Sequence, residues 1–240
     1  VIQPVGIDLY PGDGPKDLDA YVAAGAPWHF AIFKIAQGLD YQYATWAERC
    51  RSHLVTSERY GVDLFDGFYH YLTFHQDGRA QCDWAMLHLS HIGGEMRGTM
   101  PLMVDVERGG QRIQSPSKAQ VEDRVRSFAA RYLELTGRTA TLYGGELLRS
   151  VGVTDLLGCG RSAVALYSPR LGRANEGTEE FLHDTGTDLQ HLMLWQYTSA
   201  DAASTPPAGY PTEAPGCGRV DILALTLSGG LSALRSLMRT

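Results

Sequence analysis

The sequence predicts an α/β fold: an irregular, TIM-like (β/α) barrel of about eight strands, with fewer helices in its C-terminal half. Three observations lead there. Apolar runs with strand character alternate with amphipathic stretches from "PVGIDLY" to "TATLYGG", as parallel strands joined by helical crossovers require. Beyond that point strand-like runs continue with little helix between them. The length, 240 residues with no linker and no internal repeat, suits a barrel closed as one domain over residues 1–240.

The elements follow in order. "PVGIDLY" (4–10) reads as a strand, and "PKDLDAYVAAG" (15–25) as a helix with Pro at its start and Gly at its end. "HFAIFKIA" (29–36) is the second strand, and 43–61 a helix closed by Gly61. A third strand spans 64–74, a helix 77–93, and a fourth strand 100–107. Residues 117–137 carry apolar positions at helical spacing, with Ser117 placed as N-cap and Gly137 just past the end. A fifth strand spans 139–145, and three more lie at 162–168, 192–197 and 220–225. A Pro/Gly/Ser/Thr-rich loop, 198–219, separates the last two, and an amphipathic helix at 231–239 closes the chain.

Composition narrows the function. Hydrophobic residues make up 44% and charged residues 20%, enough to bury a full core. Acids outnumber bases 27 to 21 and no Lys/Arg block occurs, which argues against nucleic acid as partner. No apolar run approaches a membrane span, so membrane insertion is not expected. Val1 opens the chain with no leader before it, as a processed or trimmed end would. Cys50, Cys82, Cys159 and Cys217 form no CxxC pair, which argues against structural zinc. They are compatible with two disulfides or with four free thiols. His88 and His91 sit at i, i+3 on a helix, where a solvated face is a better reading than chelation. No phosphate loop, dinucleotide fingerprint or GxSxG elbow is present, so no cofactor and no metal are expected.

In a barrel of this kind, chemistry gathers at the C-terminal ends of the strands. Those ends carry Asp8, Lys34 to Gln37, Tyr69 and His70, Asp105 and Glu107, Tyr143, and Trp195, Gln196 and Tyr197, and Asp221 lies in the last strand. Asp105 and Glu107 are two apart on a strand, so both face one side with Cα atoms roughly 6–7 Å apart. Carboxylates held close repel, and the more buried one holds its proton to higher pH, which suits a general acid. A D-x-E at a strand end is also compatible with a solvated pair or a helix cap. Tyr69, Tyr143 and Trp195 would suit a groove in which sugar faces stack on rings while acids bind hydroxyls.

Taken together, the motifs resemble glycoside hydrolase family 25, the muramidases often called Chalaropsis-type lysozymes. "GIDLY" (6–10) resembles the family's G-[IV]-D-[VL]-S, and "FAIFKIAQG" (30–38) its F-[VA]-[IF]-[IVF]-K-A-[TS]-E-G. "GFYHYL" (67–72) resembles G-x-Y-H-F, and "PLMVDVE" (101–107) resembles P-L-x-[LV]-D-[VI]-E. "LYGG" (142–145), "LWQYTS" (194–199), "VDILAL" (220–225) and "SGGLSALRSL" (228–237) fall in the family's order nearly to the end of the chain.

The resemblance implies hydrolysis of the β-1,4 bond between N-acetylmuramic acid and N-acetylglucosamine in bacterial peptidoglycan. Glu107 would be the general acid, Asp105 would assist the substrate's 2-acetamido group, and Asp8 and Asp221 would tune both. Tyr69, Tyr143, Trp195, Lys34 and Gln37 would bind glycan. The enzyme would act at the cell wall, secreted or released by a phage as an endolysin. The family's acid after K-A-[TS] is Gln37 here, Thr/Ser after the fifth-strand Tyr is Gly144, and Leu223 replaces a common Asn. The alternative is a family-25-like domain that binds wall glycan with weak or no catalysis. A family 18 chitinase fits less well, because its longer acidic motif would need acids at Met100 and Met103.

Overall fold

β1 (Val5–Leu9) sets the rule for the strands that follow. Side chains alternate along it, so Val5, Ile7 and Leu9 pack outward under the helices while Gly6 and Asp8 turn to the barrel axis. The computed structural model describes residues 3–13, 16–55, 65–92, 99–109, 112–113, 115–165, 191–198, 209–227 and 229–239.

After β1 and a short 3-10 turn (Pro11–Asp13) come α1 (Leu18–Ala23), β2 (Trp28–Gln37), β3 (Tyr41–Gln42) and α2 (Ala44–Val55). They are followed by β4 (Phe65–Tyr71), α3 (Gly78–His91), β5 (Met103–Val106) and α4 (Lys118–Thr136). The C-terminal half holds β6 (Thr141–Gly144), α5 (Glu146–Ser150), β7 (Arg161–Ala165), β8 (Leu192–Gln196), β9 (Asp221–Leu225) and α6 (Gly230–Arg239). The sheet runs β1-β9-β8-β7-β6-β5-β4-β2-β3, and a β1–β2 pairing closes it into an eight-stranded barrel with β3 folded back on β2.

Each parallel pair is separated by enough chain for a crossover, most of them helical. Within the barrel β9 is the exception, antiparallel to both β8 and β1. An antiparallel neighbour returns at the same end of the sheet and needs no helical crossover. The Thr198 hydroxyl ties that return: it donates to Val220 O at 3.0 Å and accepts from Ile222 N at 2.9 Å.

Local chemistry explains the longest helix. Ser117 and Gln120 form a reciprocal capping box at the start of α4, and Gly137 ends it at φ +71°, which only glycine adopts readily. Its buried stripe, Val121, Val125, Phe128, Ala129 and Tyr132, packs on the outer barrel wall. His70 of β4 is buried there, stacked on Phe128 at 5.3 Å, and burial pushes its pKa down to about 4. A second, inner core of Phe30, Ile32, Met103, Leu223 and Leu225 fills the barrel. Leu234 and Met238 of α6 plug the end where the parallel strands begin.

Several expectations are corrected. The hairpin strand β3 and the short helix α5 were not anticipated; both are below the length at which periodicity shows. Helix 15–25 is trimmed to Leu18–Ala23, with Asp17 rather than proline capping it by accepting from Ala20 N at 2.9 Å. The third strand ends at Tyr71 rather than residue 74. The expected helix at 56–61, the strand end at 166–168 and much of the 198–219 loop lie outside the described residues. His88 is not on a solvated face: it is buried with its ring 4.4 Å from Trp84, while His91 is exposed. All four cysteines are free thiols. Among the described residues no helix is long and apolar enough to cross a membrane.

Candidate active site

The site is built by strand alternation at the end of the barrel where the parallel strands finish. β1 contributes Asp8, β2 Lys34, β4 Tyr69 and Tyr71, β5 Asp105, β6 Tyr143 and β8 Gln196. Glu107 follows one residue past β5, on the same face as Asp105. β9 runs the other way, so its first residue, Asp221, arrives at this same end. There it stands directly opposite Asp8, at a Cα separation of about 4.5–5.5 Å. Two residues below Asp8, Gly6 clears the axis for Phe30: a Cβ there would lie 2.2 Å from the Phe30 ring.

Asp105 lies between Tyr71 and Tyr143 in the sheet register. It is buried, and its Oδ1 has no hydrogen-bond partner among the described residues. The Tyr143 hydroxyl donates to Gln196 Oε1 at 2.7 Å and also hydrogen-bonds the Glu107 carboxyl. The Tyr71 hydroxyl donates to the backbone oxygens of Glu107, at 3.3 Å, and Gly109, pinning the turn that carries Glu107. Lys34 is buried with its Nζ 2.8 Å from Gln37 Oε1. The rings of Tyr71, Tyr43 and Tyr69 surround it at 4.6, 5.7 and 5.9 Å from their centroids.

Burial dominates the electrostatics. It drives Asp8 well above the usual carboxylate range, and Asp221, Asp13 and Glu107 add repulsion that Lys34 opposes. Burial and then the neighbouring Glu107 drive Asp105 in the same direction, again with Lys34 opposing. Glu107 is raised by burial and held back by Lys34. Burial pulls Lys34 below its ordinary value, while Asp105, Asp8 and Glu107 pull it back up. The arrangement is a cluster of acids that resists full ionisation, with a buried ammonium beside it. Such a cluster can hold a proton near neutral pH and keep a neighbouring carboxylate charged.

The structure thus brings together Asp8, Asp105, Glu107, Asp221, Lys34, Gln37, Tyr69 and Tyr143. Trp195 is the exception and the expectation is corrected. It is buried in the outer core, 5.5 Å from Tyr197 and 6.2 Å from Tyr210. Adjacent strand residues face opposite sides, so the inward position is its neighbour Gln196. Tyr43, Tyr71 and Gln196 were missed as site residues. For Tyr71 the period-2 rule, counted from Tyr69, was the available signal; for Gln196 the same count from Trp195, taken as inward, points to the wrong face. Gly144 has a steric reason: a Cβ would lie 2.7 Å from Leu148 Cδ1 of α5 and 3.1 Å from Val106 O.

Known proteins share this fold. The chain matches the model of glycosyl hydrolases family 25 over residues 7–205. A search of curated protein sequences finds no match. Among solved structures, a bacterial lysozyme from Streptomyces coelicolor aligns at TM-score 0.69 and 20% identity, covering 99% of this chain and 97% of its own. A muramidase from Trichobolus zukalii aligns at 0.68 and 19%, covering 100% and 99%. The catalytic domain of an endolysin from a bacteriophage of Listeria monocytogenes aligns at 0.63 and 14%, covering 100% and 98%. These identities speak to the fold. The family match, spanning most of the chain, carries the assignment: this protein belongs to glycosyl hydrolase family 25 and is a glycoside hydrolase.

Proposed function

We propose that the chain is a peptidoglycan hydrolase, an N-acetylmuramidase acting on the bacterial cell wall from outside the cytoplasm. Residues 1–240 form one catalytic domain in this reading. The observation that carries it is the pairing of Asp105, buried with an unpartnered oxygen, with a half-buried Glu107 raised above its ordinary range. Glu107 gives its proton to the glycosidic oxygen as the bond from C1 of N-acetylmuramic acid breaks. The oxygen of that sugar's 2-acetamido group attacks C1 and forms an oxazolinium-like ring. Asp105 accepts the amide N–H and balances the positive charge that develops there. Water then attacks C1, opens the ring and returns a proton to Glu107, with net retention of configuration. Asp8 and Asp221 keep the local potential negative, so that Glu107 retains its proton until substrate is in place. Tyr69, Tyr143, Lys34 and Gln37 line the mouth and meet the glycan.

The test is a digest of purified peptidoglycan by the wild type and by Glu107→Gln, read by mass spectrometry after borohydride reduction. Muropeptides with reduced muramic acid ends, absent with the variant, are expected. Intact glycan in both digests, with protein sedimenting alongside it, would instead establish a wall-binding module. Reduced glucosamine ends would refute the assigned bond.

A further inference from the structure

Lys34 is held in an unusual way for a buried cation. Three tyrosine rings give it electron-rich faces but no counter-charge. Its close polar partner, Gln37 Oε1 at 2.8 Å, is a neutral oxygen. The acids facing it come from other strands: Asp8 from β1, Asp105 from β5 and Glu107 just after it, with Asp221 opposite Asp8 and Asp13 on the turn after β1. Its remaining neighbours, Tyr43, Tyr69 and Tyr71, are neutral.

Gln37 is not free to drift. Its backbone pairs with Tyr41 of β3 and Tyr71 of β4. The next residues are fixed as well: Gly38 N donates to Tyr71 O at 3.0 Å, and Leu39 N donates to Gln76 Oε1 at 2.8 Å. A Cβ on Gly38 would lie 2.4 Å from that Gln76 oxygen, so the turn is tightly packed. The side chain amide is thus presented to Lys34 from a rigid frame.

We propose that Gln37 is a positioning residue: it holds the Lys34 ammonium over the acid cluster without neutralising it, so that Lys34 supplies the counter-charge for an ionised Asp105. The inference rests on the assignment of Asp105 as the charged partner and Glu107 as the acid. A carboxylate at position 37 would form a closed ion pair with Lys34 and add a negative charge facing the cluster. A glutamine satisfies the same hydrogen bond and leaves the positive field directed at Asp105, Asp8 and Glu107. That lets one member of the Asp105–Glu107 pair ionise while the other keeps its proton.

The experiment compares two substitutions at this half-exposed position, with kcat and KM on solubilised peptidoglycan measured against pH. Gln37→Glu keeps the hydrogen bond and removes neutrality; Gln37→Leu removes the hydrogen bond and keeps neutrality. The expected result is that both limbs of the pH profile move upward by about one pH unit in Gln37→Glu, with kcat reduced and KM little changed. In Gln37→Leu the limbs stay in place and kcat falls several-fold. Unmoved limbs in Gln37→Glu, equal shifts in both variants, or a change confined to KM would overturn the proposal and leave Gln37 with no role beyond its sugar contact. Glu107→Gln, run alongside, separates the two readings: if it retains turnover, the acid assignment fails, whatever Gln37 does.

Discussion

Replacing Asp105 by asparagine separates what the site does from what it costs the fold. Asp105 and Glu107 have Cα atoms roughly 6.5 Å apart; were both to ionise at about that separation they would repel by about 2.5 kcal/mol at an effective dielectric of about 20, which bounds the interaction because a proton kept on Glu107 relieves most of it. Asp8 and Asp221 add to this and Lys34 takes part of it back. The asparagine keeps the shape and leaves the charge out, so a net gain of about 1–2 kcal/mol is expected at pH 7. For a chain of this size that raises Tm by about 2–8 °C.

The sign of the pH dependence follows from the raised Asp105 pKa. Below the unfolded carboxyl's pKa both states are protonated and the wild type carries no penalty. The penalty grows as pH rises from there and is complete above the raised folded value. The advantage of Asp105→Asn therefore shrinks as pH falls from 7 towards 4. Turnover falls about a hundred- to a thousand-fold, as for loss of an electrostatic stabiliser. Calorimetry at several pH values, with muropeptide release assayed on the same samples, reads both effects. A variant less stable than wild type at pH 7, or a Tm difference that ignores pH, would refute the account of a strained acid cluster.

Trp195→Phe leaves KM for glycan unchanged while lowering stability by about 1–3 kcal/mol, since the indole packs in the outer core; thermal melts and kinetics check it. Gly144→Ser costs about 1–3 kcal/mol by crowding Leu148 and Val106 O, and a Leu148→Ala background relieves part of that in a denaturant double-mutant cycle. Leu234→Ala opens a cavity in the barrel plug and destabilises by about 3–5 kcal/mol in urea unfolding, with the pH profile unmoved. Reductant leaves Tm in place, and thiol titration of the unfolded chain finds all four cysteines free.

The alternating pattern of the first half was legible because α2, α3 and α4 are each long enough to show their period. α4 was readable to the residue, since Ser117 and Gly137 mark both ends chemically. The direction of β9 was not legible: "VDILAL" reads the same either way, and only pairing with β1 and β8 decides it. That the acids gather at one end was legible from strand ends and a family resemblance, but the partition of β8 was not. Trp195 attracted notice as an aromatic at a strand end, whereas Gln196, plainer in composition, faces the mouth and receives the Tyr143 hydroxyl. Tyr43 lies just after the two-residue β3, and its approach to Lys34 depends on a hairpin too short to predict.

The reversed strand also decides where the molecule can be handled. Because β9 descends from the mouth, α6 and the described C-terminal end sit at the plugged base, and β1 climbs from that same base. Both described ends of the chain therefore lie on the side facing away from the acid cluster. A tether, a second binding module or a solid support attached at either end would leave the mouth open. Such an attachment would change how long the enzyme dwells on a wall while leaving the acid cluster at the mouth as it is.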